Sequence, residues 1–179
     1  MKVEKEEKKI IDYQLGRKAE NVCGVAKYCP FNKPAVLITH PYNDSNNKIY
    51  PTLYWLSCPY IVRAVSRLED EGLVQEYTLI LQEDEKFRGR LFNAHQNYAQ
   101  KRFAYLSEDN IEDLETISPD LVNVIKESGV GGIREKEGIK CLHTHLADYL
   151  ADGKNPVGRA VWSLLRWPSR CDVCELEDK

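Results

Sequence analysis

The chain has 179 residues, of which 42% are hydrophobic and 30% charged, and its formal net charge is −3. That length fits one domain large enough to fold without a disulfide or metal staple. The slight acidity excludes a general polyanion binder, so nucleic acid is a poor partner, and no apolar run approaches the ~18 residues of a membrane span.

The stretch Met1 to Gln14 has no apolar core with a small-residue cleavage site, so the expected location is the cytoplasm. There the six cysteines stay reduced, to act as core residues, metal ligands or reactive thiols. Residues 1–12 read as a charged flexible arm, since Val3 is the one apolar side chain among residues 2–9; a short helix is the alternative. Residues 13–179 then form the folded domain.

Strands follow the arm. Val22 to Tyr28 is the first, and Cys29-Pro30-Phe31-Asn32-Lys33-Pro34 has turn chemistry. Ala35 to Thr39 is the second, and the polar loop Asn43 to Asn47 leads to a third at Thr52 to Leu56. Together they predict a small antiparallel three-stranded meander near the N-terminus, too thin to stand without helices packed on it.

About five helices make up the rest. Pro59 suits the first turn of one that aligns Ile61, Val65 and Leu68 and stops near Gly72. From Val74 to Leu106 a long stretch sets Phe87, Leu91, Ala94, Tyr98 and Tyr105 on one face, with a break at Gly89. Ser118-Pro119-Asp120 starts a helix over Leu121 to Ser128. Leu142, Leu146, Tyr149 and Leu150 mark another, with His145 on its periphery, and Asn155-Pro156 opens the last. The predicted class is α+β, mostly α.

Seven short words stand out: Tyr28-Cys29-Pro30, Pro51-Thr52-Leu53, Ser57-Cys58-Pro59, Ser66-Arg67-Leu68-Glu69, Ala94-His95-Gln96-Asn97-Tyr98, Lys140-Cys141-Leu142-His143 and Asn155-Pro156-Val157-Gly158. In that order the chain resembles the bacterial family called domain of unknown function 501, from about Gly24 to the terminal cysteines. The resemblance implies that Cys29, Cys58, Cys141, His143 and one C-terminal cysteine fall on family motifs, and it brings no activity with it. The sequence departs from the pattern at Phe31, where many members carry another cysteine, and at His145, which many lack.

Thiolate and imidazole are the preferred donors of tetrahedral zinc, which makes Cys29, Cys58, Cys141, His143 and Cys171 candidate ligands; an iron–sulfur cluster is the less favoured cofactor. Only Cys171 and Cys174 form a CxxC pair. On a helix Cys141 and His143 would project about 200° apart, so they share an ion only if the helix starts after His143. Cys58, at a strand-to-helix junction, is also a candidate nucleophile, with His143 or His145 as base. His95, Tyr98 and Arg102 form a polar line on one helix face, with His95 as acid–base group and Arg102 as anion binder. The glycine-rich loop offers Gly131, Gly132, Arg134 and Lys140 to a small anionic ligand.

Each feature also has an ordinary counterpart: cysteines fill cores, and polar lines form hydrogen-bonded seams. The pattern points first to a metal-binding Cys/His site in which Cys58, Cys141 and His143 form one cluster. The alternatives are a non-catalytic interaction module and a metal-free thiol enzyme using Cys58.

Overall fold

Lys5–Leu15 forms a helix, α1, where a flexible arm was expected. The structure, a computed structural model, describes residues 3–175. Glu4 and Glu7 close a reciprocal cap at the start of α1, and Gly16 ends it in a left-handed turn at φ 64°. The charged run hid a stripe that continues past residue 9: Ile11 is buried, and Val3 and Leu15 pack in the same cluster with Val25 and Leu37 of the sheet.

The sheet has the predicted strands in the predicted order. β1 (Val22–Tyr28), β2 (Pro34–Thr39) and β5 (Tyr54–Leu56) pair antiparallel as β1-β2-β5. Val25 sits opposite Leu37, and Leu37 opposite Trp55. A two-residue hairpin, β3 (Tyr42–Asn43) and β4 (Lys48–Ile49), interrupts the meander. Central β2 reads as a continuous apolar run because both of its faces are covered. Leu37 joins the cluster under α1, and its neighbour Val36 joins the main core on the other side.

Among the described residues, eight α-helices rather than about five pack around this sheet. α2 (Pro59–Asp70) begins at the expected proline. The long predicted helix divides at Asp84, not Gly89, into α3 (Leu73–Glu83) and α4 (Glu85–Phe103). Asp84 has extended backbone, and its carboxylate accepts the Phe87 amide at 2.9 Å, which caps a new helix. Gly89 runs through the interior of α4 with open space where a Cβ would sit. α5 (Glu108–Ile117), absent from the sequence expectation, is capped by Ser107 and packs Leu114 against Val122 and Ile125 of α6 (Pro119–Glu127).

A short 3-10 turn at Val130–Gly132 leads to α7 (Leu142–Asp152) and α8 (Pro156–Ser163). α7 lies at the centre, touching β5, α2 and α8. Leu142, Leu146 and Ala147 are fully buried in the main core, and so, contrary to expectation, is His145. No helix among the described residues is long and apolar enough to cross a membrane.

Candidate metal centre

Cys141 stands just before α7 with extended backbone (φ −160°, ψ 154°), and His143 lies in the first turn. The projection rule for two helical residues therefore does not apply, and the two side chains turn towards the same point. The third member comes from the last turn of α2. Glu69 Oε1 accepts the Leu142 amide at 2.5 Å and lies 3.2 Å from His143 Nδ1. Cys141 makes no side-chain cap for α7, so the distant carboxylate does that work at the positive end of the helix.

Glu69, Cys141 and His143 are the one group of three or more His, Cys, Asp or Glu among the described residues whose ligand atoms all lie within 4.8 Å of one another. The imidazole is oriented by what lies behind it. His143 Nε2 faces the Val62 carbonyl at 3.2 Å and Ser66 Oγ at 3.3 Å. A carbonyl only accepts, so Nε2 carries a proton, and Nδ1 faces Glu69 and the thiol, donating to them when the ring is charged and offering a lone pair when it is neutral.

The electrostatics follow. Burial alone would raise the Cys141 thiol, but hydrogen bonds from His143 and from the side chain and backbone of Thr144 outweigh it, leaving the thiol below its ordinary value. Burial would lower His143, yet its bond to Cys141, the charge of Glu69 and the Val62 carbonyl carry it above its ordinary value. The cluster opens on a cleft of about 350 Å³ whose walls include Tyr54, Leu56 and Val62, with Lys140 among its lining residues. Mostly apolar walls with a few convergent polar groups are the usual make-up of a small-ligand site.

Cys58 is not part of this cluster. It precedes α2, is 5% exposed, and lines a separate pocket with Cys29, Cys171 and Cys174. Burial raises its thiol and outweighs the amides of Tyr60 and Ile61 that favour the thiolate, so the helix start does not activate it. The expected single cluster of Cys58, Cys141 and His143 is thus divided between two places.

Residues 25–163 match the family described as protein of unknown function (DUF501). The chain belongs to this family. The matched span takes in Cys29, Cys58, Glu69, His95, Arg102, Cys141 and His143, and it ends before Cys171 and Cys174. No curated protein and no solved structure matches.

In this DUF501 chain the remaining candidates are placed as struts. His95 is fully buried. Its Nδ1 accepts the Val130 amide at 3.0 Å, and Nε2 faces the Gly138 carbonyl at 3.2 Å, so both nitrogens are committed to backbone and face no cleft. A Cβ on Gly129 would meet His95 Nδ1 at 2.5 Å, which is why the loop needs a glycine there. Burial lowers the His95 pKa to about 4.

An unfolded histidine protonates near 6.5, so this residue's contribution is fully present above that pH and declines as pH falls towards 4, by up to about 1.4 kcal/mol per pH unit. Urea unfolding at pH 7 and pH 5 should show a smaller acid loss for His95→Gln than for the native chain. An equal loss would mean that His95 titrates normally in the folded state.

Arg102 is fully buried and binds no anion, because its donors are spent on backbone carbonyls of Pro51, Ile125 and Ser128. Gly131 and Gly132 hold left-handed backbone at φ 67° and 81°. Lys140 Nζ donates to the Gly131 carbonyl at 2.7 Å, while Arg134 lies on a different groove with Lys136 and Asp120. The loop's two cations therefore do not converge on one anion. Sequence inspection missed Glu69 as a site residue, although the word Ser66-Arg67-Leu68-Glu69 contained it.

Proposed function

We propose that this protein binds a divalent metal ion, zinc by the chemistry of its donors, through Glu69, Cys141 and His143. One observation carries the proposal: a thiol, a carboxylate and an imidazole nitrogen face one another within 4.8 Å at a half-buried place. A carboxylate and a thiolate held that close repel each other unless a cation stands between them. Three protein ligands with a further position open to a cleft is the arrangement of a reactive rather than a purely structural zinc. The open position takes a small anionic ligand from the cleft, whose lining includes Lys140. A reducing cytoplasm suits such a site, because the thiol stays available to the ion.

A second reading rests on the same three side chains. Cys141 is then the nucleophile and His143 the base, with the Val62 carbonyl on Nε2 orienting the ring and the Glu69 charge favouring the imidazolium, the set a metal-free thiol enzyme requires. The two separate on purified full-length protein prepared without chelator. Elemental analysis is expected to show one equivalent of zinc lost on Cys141→Ser and on His143→Ala, with Glu69→Gln weakening retention. If neither variant changes the bound zinc, the metal proposal is overturned. If Cys141 also alkylates rapidly at neutral pH and slows in His143→Ala, the thiol reading replaces it.

A further inference from the structure

Of the six cysteines, four meet at one place that the Glu69 cluster does not use. Cys29 follows β1 in a tight turn, in which its amide donates to Lys33 O at 2.9 Å and its carbonyl accepts the Asn32 amide at 3.0 Å. Cys58 precedes α2 with extended backbone (φ −61°, ψ 113°) and is buried. Cys171 and Cys174 lie on the C-terminal turn that the Glu175 amide closes onto the Asp172 carbonyl at 2.9 Å. All four are free thiols, and Cys29, Cys58 and Cys174 are buried.

We propose that Cys29, Cys58, Cys171 and Cys174 form a second metal site, a closed four-thiolate site for one zinc ion that fastens the C-terminal segment to the sheet and α2. Four cysteines including one CxxC pair are the donor set of a structural zinc. Burial holds the Cys58 and Cys174 thiols above their ordinary values, so it is a bound cation that would turn them into thiolates. Gln14 of α1 reaches across from the Pro34 carbonyl (2.8 Å) to Cys174 Sγ (3.3 Å), and Lys33 lines the same pocket. Gln14 Oε1 is buried with no partner, so the amide is held there for what its nitrogen does.

The pocket between the cysteines is small, with an open volume of about 10 Å³, room for one ion among the four sulfurs. No three of the four sulfurs lie within 4.8 Å of one another, so they ring the pocket more widely than a bound zinc would hold them. Binding draws them inward. Cys171 and Cys174 lie beyond α8, outside any helix or strand, where no ladder of backbone bonds resists that shift. The site also explains why Cys174, outside any helix or strand, is only 6% exposed.

The proposal does not rest on the Glu69 site, and the test keeps the two apart. The full chain carrying Cys141→Ser and His143→Ala is loaded with cobalt in place of zinc. It is expected to hold one equivalent, with the visible bands of tetrahedral cobalt and strong near-ultraviolet thiolate-to-cobalt absorption. Adding Cys174→Ser to that background should abolish the near-ultraviolet band or weaken it by about a quarter per lost thiolate, and should lower the melting temperature of the zinc-loaded protein. Far-ultraviolet circular dichroism confirms that the variant is folded; Cys171→Ser, also outside the helices, serves as the second variant. A background protein that binds neither cobalt nor zinc overturns the site. So does a cobalt spectrum that Cys174→Ser and Cys171→Ser leave unchanged.

Discussion

Replacing Arg102 by methionine is expected to remove about 3–5 kcal/mol of folding stability, the range typical of breaking up a buried charged network. Nε and Nη2 donate to the Ile125 carbonyl at 2.8 and 2.5 Å, Nη2 also to Ser128 O at 2.5 Å, and Nη1 to Pro51 O at 2.7 Å. Ile125 belongs to the last turn of α6, where a helix leaves its final carbonyls unpaired and collects negative partial charge. A guanidinium is the one side chain with a planar fork wide enough to bind several such carbonyls at once. Its pKa, lowered by burial to about 10, still leaves it charged at neutral pH. Methionine keeps much of the volume but leaves buried carbonyls unpaired, at about 1–3 kcal/mol each. Lysine keeps the charge without the fork and should recover only part of the loss. Urea unfolding of both variants provides the check, and a cost under about 1 kcal/mol for Arg102→Met would mean that water replaces the guanidinium freely.

Arg102 also illustrates why the site was only half legible in the sequence. A polar residue at helical spacing from His95 and Tyr98 has the same local pattern whether it lines a cleft or caps a neighbouring helix. The difference lies in α6, more than twenty residues away. The same holds for Glu69, whose partners Leu142 and His143 come from a helix 73 and 74 positions further along. Cys58 and Cys141 each sit immediately before a helix, and nothing local says that the two helix starts face different pockets.

What was legible is what local chemistry decides. Pro59, Ser118-Pro119 and Asn155-Pro156 mark helix starts within a residue, because a fixed φ and a cap act within one turn. The strands declared themselves by β-branched runs between turn residues. Two errors share one cause. A capping carboxylate at Asp84 breaks the long helix where the weak propensity of Gly89 does not, and a reciprocal Glu4–Glu7 cap starts α1 inside a run whose charges mask its apolar stripe. The helix rule failed at Cys141 for a related reason: a residue that precedes a helix has extended backbone and points elsewhere.

Gly158→Ala should destabilise the protein by about 2–3 kcal/mol, although alanine is the better helix former by about 1 kcal/mol. Gly158 lies in α8 where it presses on α7, and a Cβ there would run into the carbonyl oxygen of His145 and meet Tyr149 Cβ at 2.5 Å. A long side chain can rotate out of such a contact, but a backbone carbonyl inside α7 cannot, so the helices must separate. Separation opens the core around Leu146, Val157 and Val161, all fully buried, and adds lost burial to the clash. Gly89→Ala provides the control, since its Cβ would point into open space from an exposed turn of α4. That substitution should stabilise by about 0.5–1 kcal/mol through backbone entropy alone. In a chain of this size each kcal/mol moves the melting temperature by roughly 2–4 °C, so the two variants should shift in opposite directions by amounts a thermal melt resolves. Equal upward shifts would mean that α7 and α8 have room to spare, and that the close approach at Gly158 does not fix their packing.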